Sequence, residues 1–207
     1  MQPPLNHPGD GNDIIRHVLP LINLSIKAED EIELELYVPV TQSVCMKLAT
    51  ELRNADKKLS KDGKVILRVN SMGGDLYAAF LVVDTIREMN HDVHTIVDGV
   101  AASAATIITM AGTVGFRTMH EHSRMLLHMP KMTVAGSSMI ELGDLQVYEK
   151  NMKSTVDAIK KFYKTSCATN ITDEDLDKYL ATDIWYTANK CKECGFVDAV
   201  IKYNVRG

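Results

Sequence analysis

The chain has 207 residues, and 23 Lys and Arg against 27 Asp and Glu give it a formal net charge of −4. Hydrophobic residues make up 45% and charged residues 24%, which excludes collagen-like, disordered and disulfide-framework chains and favours one globular domain. A mildly acidic chain lacks the basic excess of proteins that neutralise nucleic-acid phosphates, so the composition predicts no nucleic-acid partner.

Residues 1–30 predict a flexible N-terminal arm and a first turn. The segment 1–11 holds three prolines and two glycines, without the basic and apolar regions of a secretory signal. The longest uncharged stretch, 99–115, contains Ser, Thr and Gly and is too short to span a membrane. We therefore expect a cytoplasmic chain without a membrane partner, whose residues 31–207 form a single domain.

The hydrophobic pattern after residue 30 alternates between strand and helix periods. Residues 31–38 place Ile and Leu on one face and Glu on the other, as in a half-buried strand. Further strands are predicted over 65–69, 94–97, 114–118, 124–128 and 196–201, and helices over 41–55 and 103–111, from Asp75, Leu145 and Thr172, and before Gly195. This alternation predicts an α/β fold with a largely parallel sheet and right-handed crossovers.

Two glycines, Gly73 and Gly74, separate a predicted strand from the helix that follows. Glycine adopts backbone angles closed to other residues and lets a substrate approach the main chain, and a helix N-terminus presents unpaired N–H groups. A tight turn without any function gives the same pattern. The segment matches neither G-x-G-x-x-G nor a Walker loop, so nucleotide binding is not predicted.

Ser103 and His128 are the candidate nucleophile and base. Ser103 lies among alanines after a strand and at a helix start, the context of a nucleophile turn, although packing of small residues explains the same pattern. His128 ends a predicted buried strand just before Met129 and Pro130. It could act there as a general base, or it could be a core histidine with satisfied hydrogen bonds.

The other cysteines and histidines carry weaker signals. The segment Cys191-Lys-Glu-Cys194 is a single C-x-x-C pair, which alone indicates neither zinc nor a redox motif, so we expect ordinary reduced helix residues. His120 and His122 lie in a polar turn without a third metal ligand at a suitable spacing. His91 and His94 are predicted at the surface. The sequence therefore predicts no metal and no cofactor.

Together these elements resemble the Clp protease proteolytic subunit (ClpP) family of serine peptidases, over about residues 36–201. In that family a strand ends in Asn-Ser-Pro-Gly-Gly, and here the segment reads Asn70-Ser71-Met72-Gly73-Gly74. The family's Gly-x-Ala-Ala-Ser block is matched by residues 99–103, and its Ser-Arg-x-x-x-His-x-Pro block by residues 123–130. The spacing between the three blocks fits the family as well, and the combination is far more specific than any one block.

The resemblance implies roles for five residues. Ser103 would be the nucleophile, His128 the general acid and base, and Asp183 the acid that orients the imidazole. The backbone N–H groups of Gly74 and Ala104 would form the oxyanion hole.

The aspartate has two alternatives. Asp183 is preferred because it precedes Ile-Trp-Tyr-Thr-Ala, which fits the family's aromatic-x-[Ser/Thr]-Ala stretch before a final helix. Asp177 and Asp198 remain open, and Asp198 is expected to be structural because it lies in the closing Gly-x-x-Asp.

Several positions depart from the family pattern. Met72 replaces the proline of the glycine loop, Ala104 a common methionine, and Met129 the usual glutamine. Thr182 stands where many members carry an arginine that is tied to contacts between rings. The segments Ala-Ala-Ser-Ala-Ala and Asp-x-Trp-x-Thr-Ala are more similar to divergent, phage-encoded members, which can serve in head maturation.

The resemblance also implies an architecture and partners. The fold would be the ClpP/crotonase-like repeated β-β-α superhelix, with a protruding handle at about 132–165 that meets an opposite ring. Subunits would form a heptameric ring or a double ring around a chamber that holds the active sites. Unfolded polypeptides would be delivered by an AAA+ ATPase, and only that partner would use ATP.

Two other functions stay open on the sequence. A crotonase-fold acyl-CoA enzyme shares the superhelix and the oxyanion hole but does not need Ser103 and His128 together. A non-catalytic ring or scaffold subunit would lose no activity when Ser103 is replaced by alanine.

Overall fold

The computed structural model describes residues 24–27, 30–130 and 142–203. Most of the predicted N-terminal arm therefore lies outside the described residues. At its end, Leu24–Lys27 form a strand, β1, which the sequence did not predict. This strand pairs antiparallel with β2 (Glu31–Leu36), so the end of the segment is part of the sheet.

The predicted alternation of strands and helices is confirmed. The remaining strands are β3 (Lys64–Ser71), β4 (Asp92–Ala102), β5 (Arg117–His120), β6 (Arg124–Leu126), β7 (Trp185–Thr187) and β8 (Ala199–Ile201). The helices are α1 (Gln42–Lys58), α2 (Leu76–Glu88), α3 (Ala104–Met110), α4 (Leu142–Ser166), α5 (Asp173–Leu180) and α6 (Ala188–Glu193). No helix in the described part of the chain combines the length and hydropathy that a bilayer span requires.

The eight strands of the described residues belong to one sheet. Its main path runs β1-β2-β3-β4-β5-β8, and every pairing on this path after β1–β2 is parallel, as predicted. The long strand β4 pairs with two neighbours, with β5 through residues 95–97 and with β6 through residues 100–102. Strand β7 returns antiparallel beside β6. This fork brings the ends of β4, β6 and β7 together.

The core is formed where helices α1 to α3 pack on the sheet, and buried residues of α4, α5 and α6 extend it. The predicted alternation of β2 is observed, since Ile32, Leu34 and Leu36 are buried and the glutamates between them are partly exposed. Each of these fully buried leucines stabilises the fold by about 2 kcal/mol. Helix α3 is buried at every position, because it contacts α2, α4 and two strands.

Two strands begin later than their sequence pattern predicted. The strand expected at 114–118 begins at Arg117, because Gly115, with a φ of 95°, holds the preceding residues in a turn. The strand expected at 196–201 begins at Ala199, because residues 196 and 197 still bond to the carbonyl at the end of α6. Local hydrophobicity does not distinguish these capping residues from strand residues.

Helix α4 joins the body of the protein through its second half. Ile159, Phe162 and Tyr163 are buried in the core, whereas Leu145 is 47% and Val147 60% exposed. The helix is therefore part of the core only near its end. The start of the predicted handle, residues 132–141, lies outside the described residues.

The prediction that His91 and His94 are surface residues is wrong for both. His94 is half-buried and stacks on Phe116 with ring centroids 4.0 Å apart. His91 is held between two acceptors, with Nδ1 2.8 Å from Asp56 Oδ1 and Nε2 2.8 Å from the carbonyl oxygen of Ser60. Because both acceptors lack a proton, both ring nitrogens donate when the imidazole is protonated.

Replacing His91 with glutamine is expected to lower the free energy of unfolding by about 1 kcal/mol near pH 6. The hydrogen bond to Asp56 raises the pKa of His91, so its stabilisation is complete below the ordinary pKa of about 6.5 and is lost as the pH rises through the folded value. Burial raises the pKa of Asp56, but its bonds to His91 and Asn90 lower it overall, so that contribution is lost in acid. Urea unfolding at pH 6 and pH 9 measures the difference, which should shrink at pH 9. An equal loss of stability at pH 6 and pH 9 would contradict the expectation that protonated His91 stabilises the fold.

Candidate active site

Ser103 lies at the turn between β4 and α3. Its φ of 54° and ψ of −127° are outside the regions that L-residues ordinarily occupy. The Ser103 N–H donates to the carbonyl oxygen of Leu126 at 2.8 Å, which fixes the turn against β6. A strained serine between a strand and a helix presents its hydroxyl on an exposed corner, the geometry that a nucleophile requires.

His128 and Asp183 meet because of strand register. In the antiparallel pair of β6 and β7, Leu126 lies opposite Trp185, and two further residues along each chain place His128 opposite Asp183. His128 Nδ1 lies 3.2 Å from Asp183 Oδ1. The imidazole is 19% exposed and the carboxylate 55% exposed, so the pair lies near the surface rather than inside the core.

The two alternative aspartates are engaged elsewhere. Asp177, on α5, forms an ion pair with Lys160 of α4. Asp198 accepts hydrogen bonds from the side chain and backbone N–H of Arg117, whose side chain is completely buried. The structure therefore places only Asp183, of these three, beside His128.

The glycine loop lies directly against the nucleophile turn. A Cβ atom on Gly73 would approach the carbonyl oxygen of Ala102 to 2.3 Å and Ser103 Cβ to 2.8 Å. Gly73 has a φ of 87° and Gly74 a φ of 149°. Only glycine combines these angles with such close contact, so the loop needs both residues.

The backbone around Gly74 leaves its N–H group available. Val40 donates its N–H to the carbonyl of Gly73 and accepts the N–H of Asp75, at 2.9 and 2.8 Å. In a parallel bridge of this kind, the N–H of the residue between these two bonds points away from the partner strand. Ala104 is the first residue of α3, and its N–H has no acceptor within the helix. Two backbone donors thus flank Ser103.

A pocket of about 360 Å³ opens beside these residues and is lined by Gly74, Ser103, Ala104 and His128 among others. Its apolar wall comes from Leu76, Ile107 and Ile159. The hydroxyl of Tyr163 is not free to enter it, because it bonds to Thr106 Oγ1 at 2.6 Å. The pocket therefore holds a serine hydroxyl, an imidazole and two backbone N–H groups beside an apolar surface.

Two pocket residues were missed by the sequence analysis. Tyr77 follows the glycine loop on α2, and its hydroxyl lies 3.2 Å from Thr155 Oγ1 on α4. Both residues line the pocket. They are 78 positions apart, and neither belongs to a motif, so nothing in the local sequence indicated this contact.

The remaining candidate ligands do not converge. Among residues 30–130 and 145–203, no group of three or more His, Cys, Asp or Glu side chains could hold a metal ion. His120 Nε2 lies 2.8 Å from Asp98 Oδ1, and the side chain of His122 is 90% exposed. All four cysteines are free, and burial raises the pKa of Cys191 to about 12. A thiol with that pKa is a poor nucleophile and a poor metal ligand at neutral pH.

Known proteins resemble the chain over most of its length. Residues 22–204 match the family model described as Clp protease. The ATP-dependent Clp protease proteolytic subunit 1 of Chlamydia pneumoniae is 30% identical over 145 residues, 70% of this chain and 74% of the relative. The corresponding proteolytic subunit of Streptococcus sanguinis is 33% identical over 138 residues, 67% of this chain and 68% of the relative. That of Bacteroides thetaiotaomicron is 32% identical over 140 residues, 66% of this chain and 60% of the relative.

Proposed function

Because the chain belongs to the Clp protease family and is a peptidase, we propose that it hydrolyses peptide bonds through an acyl-enzyme on Ser103, with His128 and Asp183 completing a catalytic triad. One observation carries this proposal. Ser103 and His128 line one pocket, and Asp183 Oδ1 lies 3.2 Å from His128 Nδ1.

The contact to Asp183 sets the tautomer of His128. An ionised carboxylate only accepts hydrogen bonds, so Nδ1 carries the proton and Nε2 keeps its lone pair. Nε2 takes the proton of the Ser103 hydroxyl while the serine oxygen bonds to the carbonyl carbon of the scissile peptide. Asp183 holds the imidazole in place and stabilises the imidazolium.

The two backbone donors act on the oxygen that becomes charged. As the carbonyl carbon turns tetrahedral, its oxygen accepts hydrogen bonds from the N–H groups of Gly74 and Ala104. Collapse of this intermediate breaks the carbon–nitrogen bond, and His128 gives its proton to the leaving amine. A water molecule, deprotonated by His128, then attacks the ester and releases Ser103 with the second product.

The substrates and partners follow from the family. The relatives are named proteolytic subunits of an ATP-dependent protease, and such subunits assemble into oligomeric rings and act with a partner ATPase. We propose that this chain forms a heptameric ring, single or stacked as a double ring, and cleaves unfolded polypeptides. An AAA+ partner would supply the ATP-dependent step, since the chain has no Walker loop.

The alternative functions are not favoured. A crotonase-fold acyl-CoA enzyme has no need for the His128–Asp183 pair beside Ser103, and the family match is to peptidases. A non-catalytic scaffold has no need for a strained serine flanked by two free backbone donors.

An active-site probe tests the proposal directly. A fluorophosphonate is expected to label the assembled protein at Ser103, because the reagent reacts with serines that a base has activated. Peptide mass spectrometry identifies the site. Ser123 is the matched control within the same chain, since it is a buried serine whose hydroxyl bonds to the backbone of Val97 and Gly99, and it should stay unlabelled. No labelling of Ser103 in protein whose ring assembly has been verified would contradict the proposed function.

A further inference from the structure

Ser71 is a buried serine whose hydroxyl is fully used by the backbone. It ends β3, two residues before the glycine loop, and is 4% exposed. Its Oγ donates to the carbonyl oxygen of Val38 at 2.7 Å and accepts the N–H of Gly73 at 3.1 Å. The side chain thus ties the glycine loop to the segment that follows β2.

This contact fixes one of the two peptide groups that flank Gly73. The peptide before Gly73 is held through its N–H by Ser71, and the peptide after it is held through its carbonyl by the N–H of Val40 at 2.9 Å. The second of these peptides carries the N–H of Gly74. Since glycine is the residue with the most backbone freedom, the direction of that N–H depends on both anchors.

Asn70, the residue before Ser71, bonds to the strand on the other side, β4. Its Oδ1 accepts the N–H of Val100 at 3.2 Å, and a Cβ on Gly99 would lie 3.1 Å from that oxygen. The register between β3 and β4 shifts at this point, between Val69 and Ser71. Strand β4 leads directly to Ser103, so the segment Asn70-Ser71 connects the glycine loop to β4 and to the segment that follows β2.

We propose that Ser71 is a positioning residue for the oxyanion hole, an inference that rests on the proposed function. Its hydroxyl holds Gly73 in the conformation that aims the Gly74 N–H at the pocket. Ser71 itself touches no reacting atom. Its loss should therefore weaken stabilisation of the tetrahedral intermediate, in which the carbonyl oxygen is charged, more than binding of the substrate, in which it is neutral.

The chain provides a matched control at Ser123. This serine is 2% exposed, and its Oγ donates to the carbonyl of Val97 and accepts the N–H of Gly99, both at 2.9 Å. The burial and the two kinds of bond are those of Ser71. The difference is that Gly99 carries neither oxyanion donor. Ser123→Ala should therefore lower the stability of the fold by a similar amount without weakening stabilisation of the tetrahedral intermediate.

The experiment compares Ser71→Ala, Ser123→Ala and the wild-type chain in assembled form. For Ser71→Ala we expect kcat to fall about 10- to 100-fold with KM changed less than about twofold, because a misdirected oxyanion donor costs rate rather than ground-state binding. The affinity for a peptide boronate, which forms a tetrahedral anionic adduct on the serine, should fall by a similar factor. For Ser123→Ala, kcat and the boronate affinity should stay within about threefold of the wild type at a temperature well below unfolding.

Each other result counts against the inference. An unchanged kcat and boronate affinity in folded Ser71→Ala would overturn it, and so would equal losses in the two variants. If Ser71→Ala does not assemble, Ser71→Cys preserves the volume with a weaker donor and acceptor and should show the same selective loss at smaller size. A wild-type chain without activity would instead contradict the proposed function, so the two failures are distinguishable.

Discussion

Replacing Ser103 with alanine is expected to lower peptidase kcat/KM by at least about 10⁴-fold, because the acyl-enzyme cannot form and the rest of the triad has no hydroxyl to activate. The fold should survive, since the side chain makes no capping hydrogen bond in the structure. Alanine meets the same φ of 54° that Ser103 already adopts, so the substitution adds no backbone strain. Cleavage of a fluorogenic peptide, with assembly size measured in parallel, gives the result.

Two controls make the loss specific. Ser123→Ala removes a buried serine elsewhere and should retain most of the activity. Asp183→Asn keeps the size of the side chain and should reduce activity by less than Ser103→Ala does, because the partly exposed carboxylate positions His128 without reacting itself. Substantial cleavage by assembled Ser103→Ala would show that a group other than Ser103 performs the reaction and would contradict the proposed mechanism.

Residues of the site that are marked by their neighbours in the sequence could be predicted, whereas a pairing between distant residues could not be predicted from local pattern. Ser103 and Gly74 lie at strand ends that small residues mark locally, and the structure places both at the pocket. The pairing of His128 with Asp183 spans 55 positions and follows from the register of β6 and β7, which periodicity does not encode. The family resemblance supplied that pairing, and the structure supplies its distance. The catalytic roles stay predictions until the chain is assayed.

The fold shows the same division between local and distant signals. The α/β class and the buried face of β2 could be predicted because they depend on alternation within a few residues. Strand β1 could not, because its residues are placed by pairing with β2 rather than by a pattern of their own. The contact between Tyr77 and Thr155 likewise depends on how α4 packs beside the pocket.

The largest effect on stability is expected where Arg117 meets Asp198, 81 positions away in the sequence. The guanidinium is fully buried, and Nη2 and Nε donate to the Asp198 carboxylate at 2.6 and 2.9 Å. Nη1 donates to the carbonyl of Ser166, so the side chain joins β5, the end of α4 and the residue before β8. The Asp198 carboxylate also accepts the backbone N–H of Gly115 at 2.8 Å.

Asp198→Asn is expected to lower the free energy of unfolding by about 3–5 kcal/mol, because it leaves the buried guanidinium without a counter-charge. Burial raises the pKa of Asp198, but its bonds to Arg117 lower it overall, so its stabilisation is present above the ordinary carboxyl pKa and is lost as the pH falls through the folded value. Glu193→Gln, in the exposed pair with Lys190, should change stability by less than about 0.5 kcal/mol. Urea unfolding of the two variants at pH 7 separates the cases. Equal, small losses in free energy of unfolding for the two variants would mean that water reaches Arg117. The ion pair would then not be the main stabilising link between β5 and β8 that its geometry indicates.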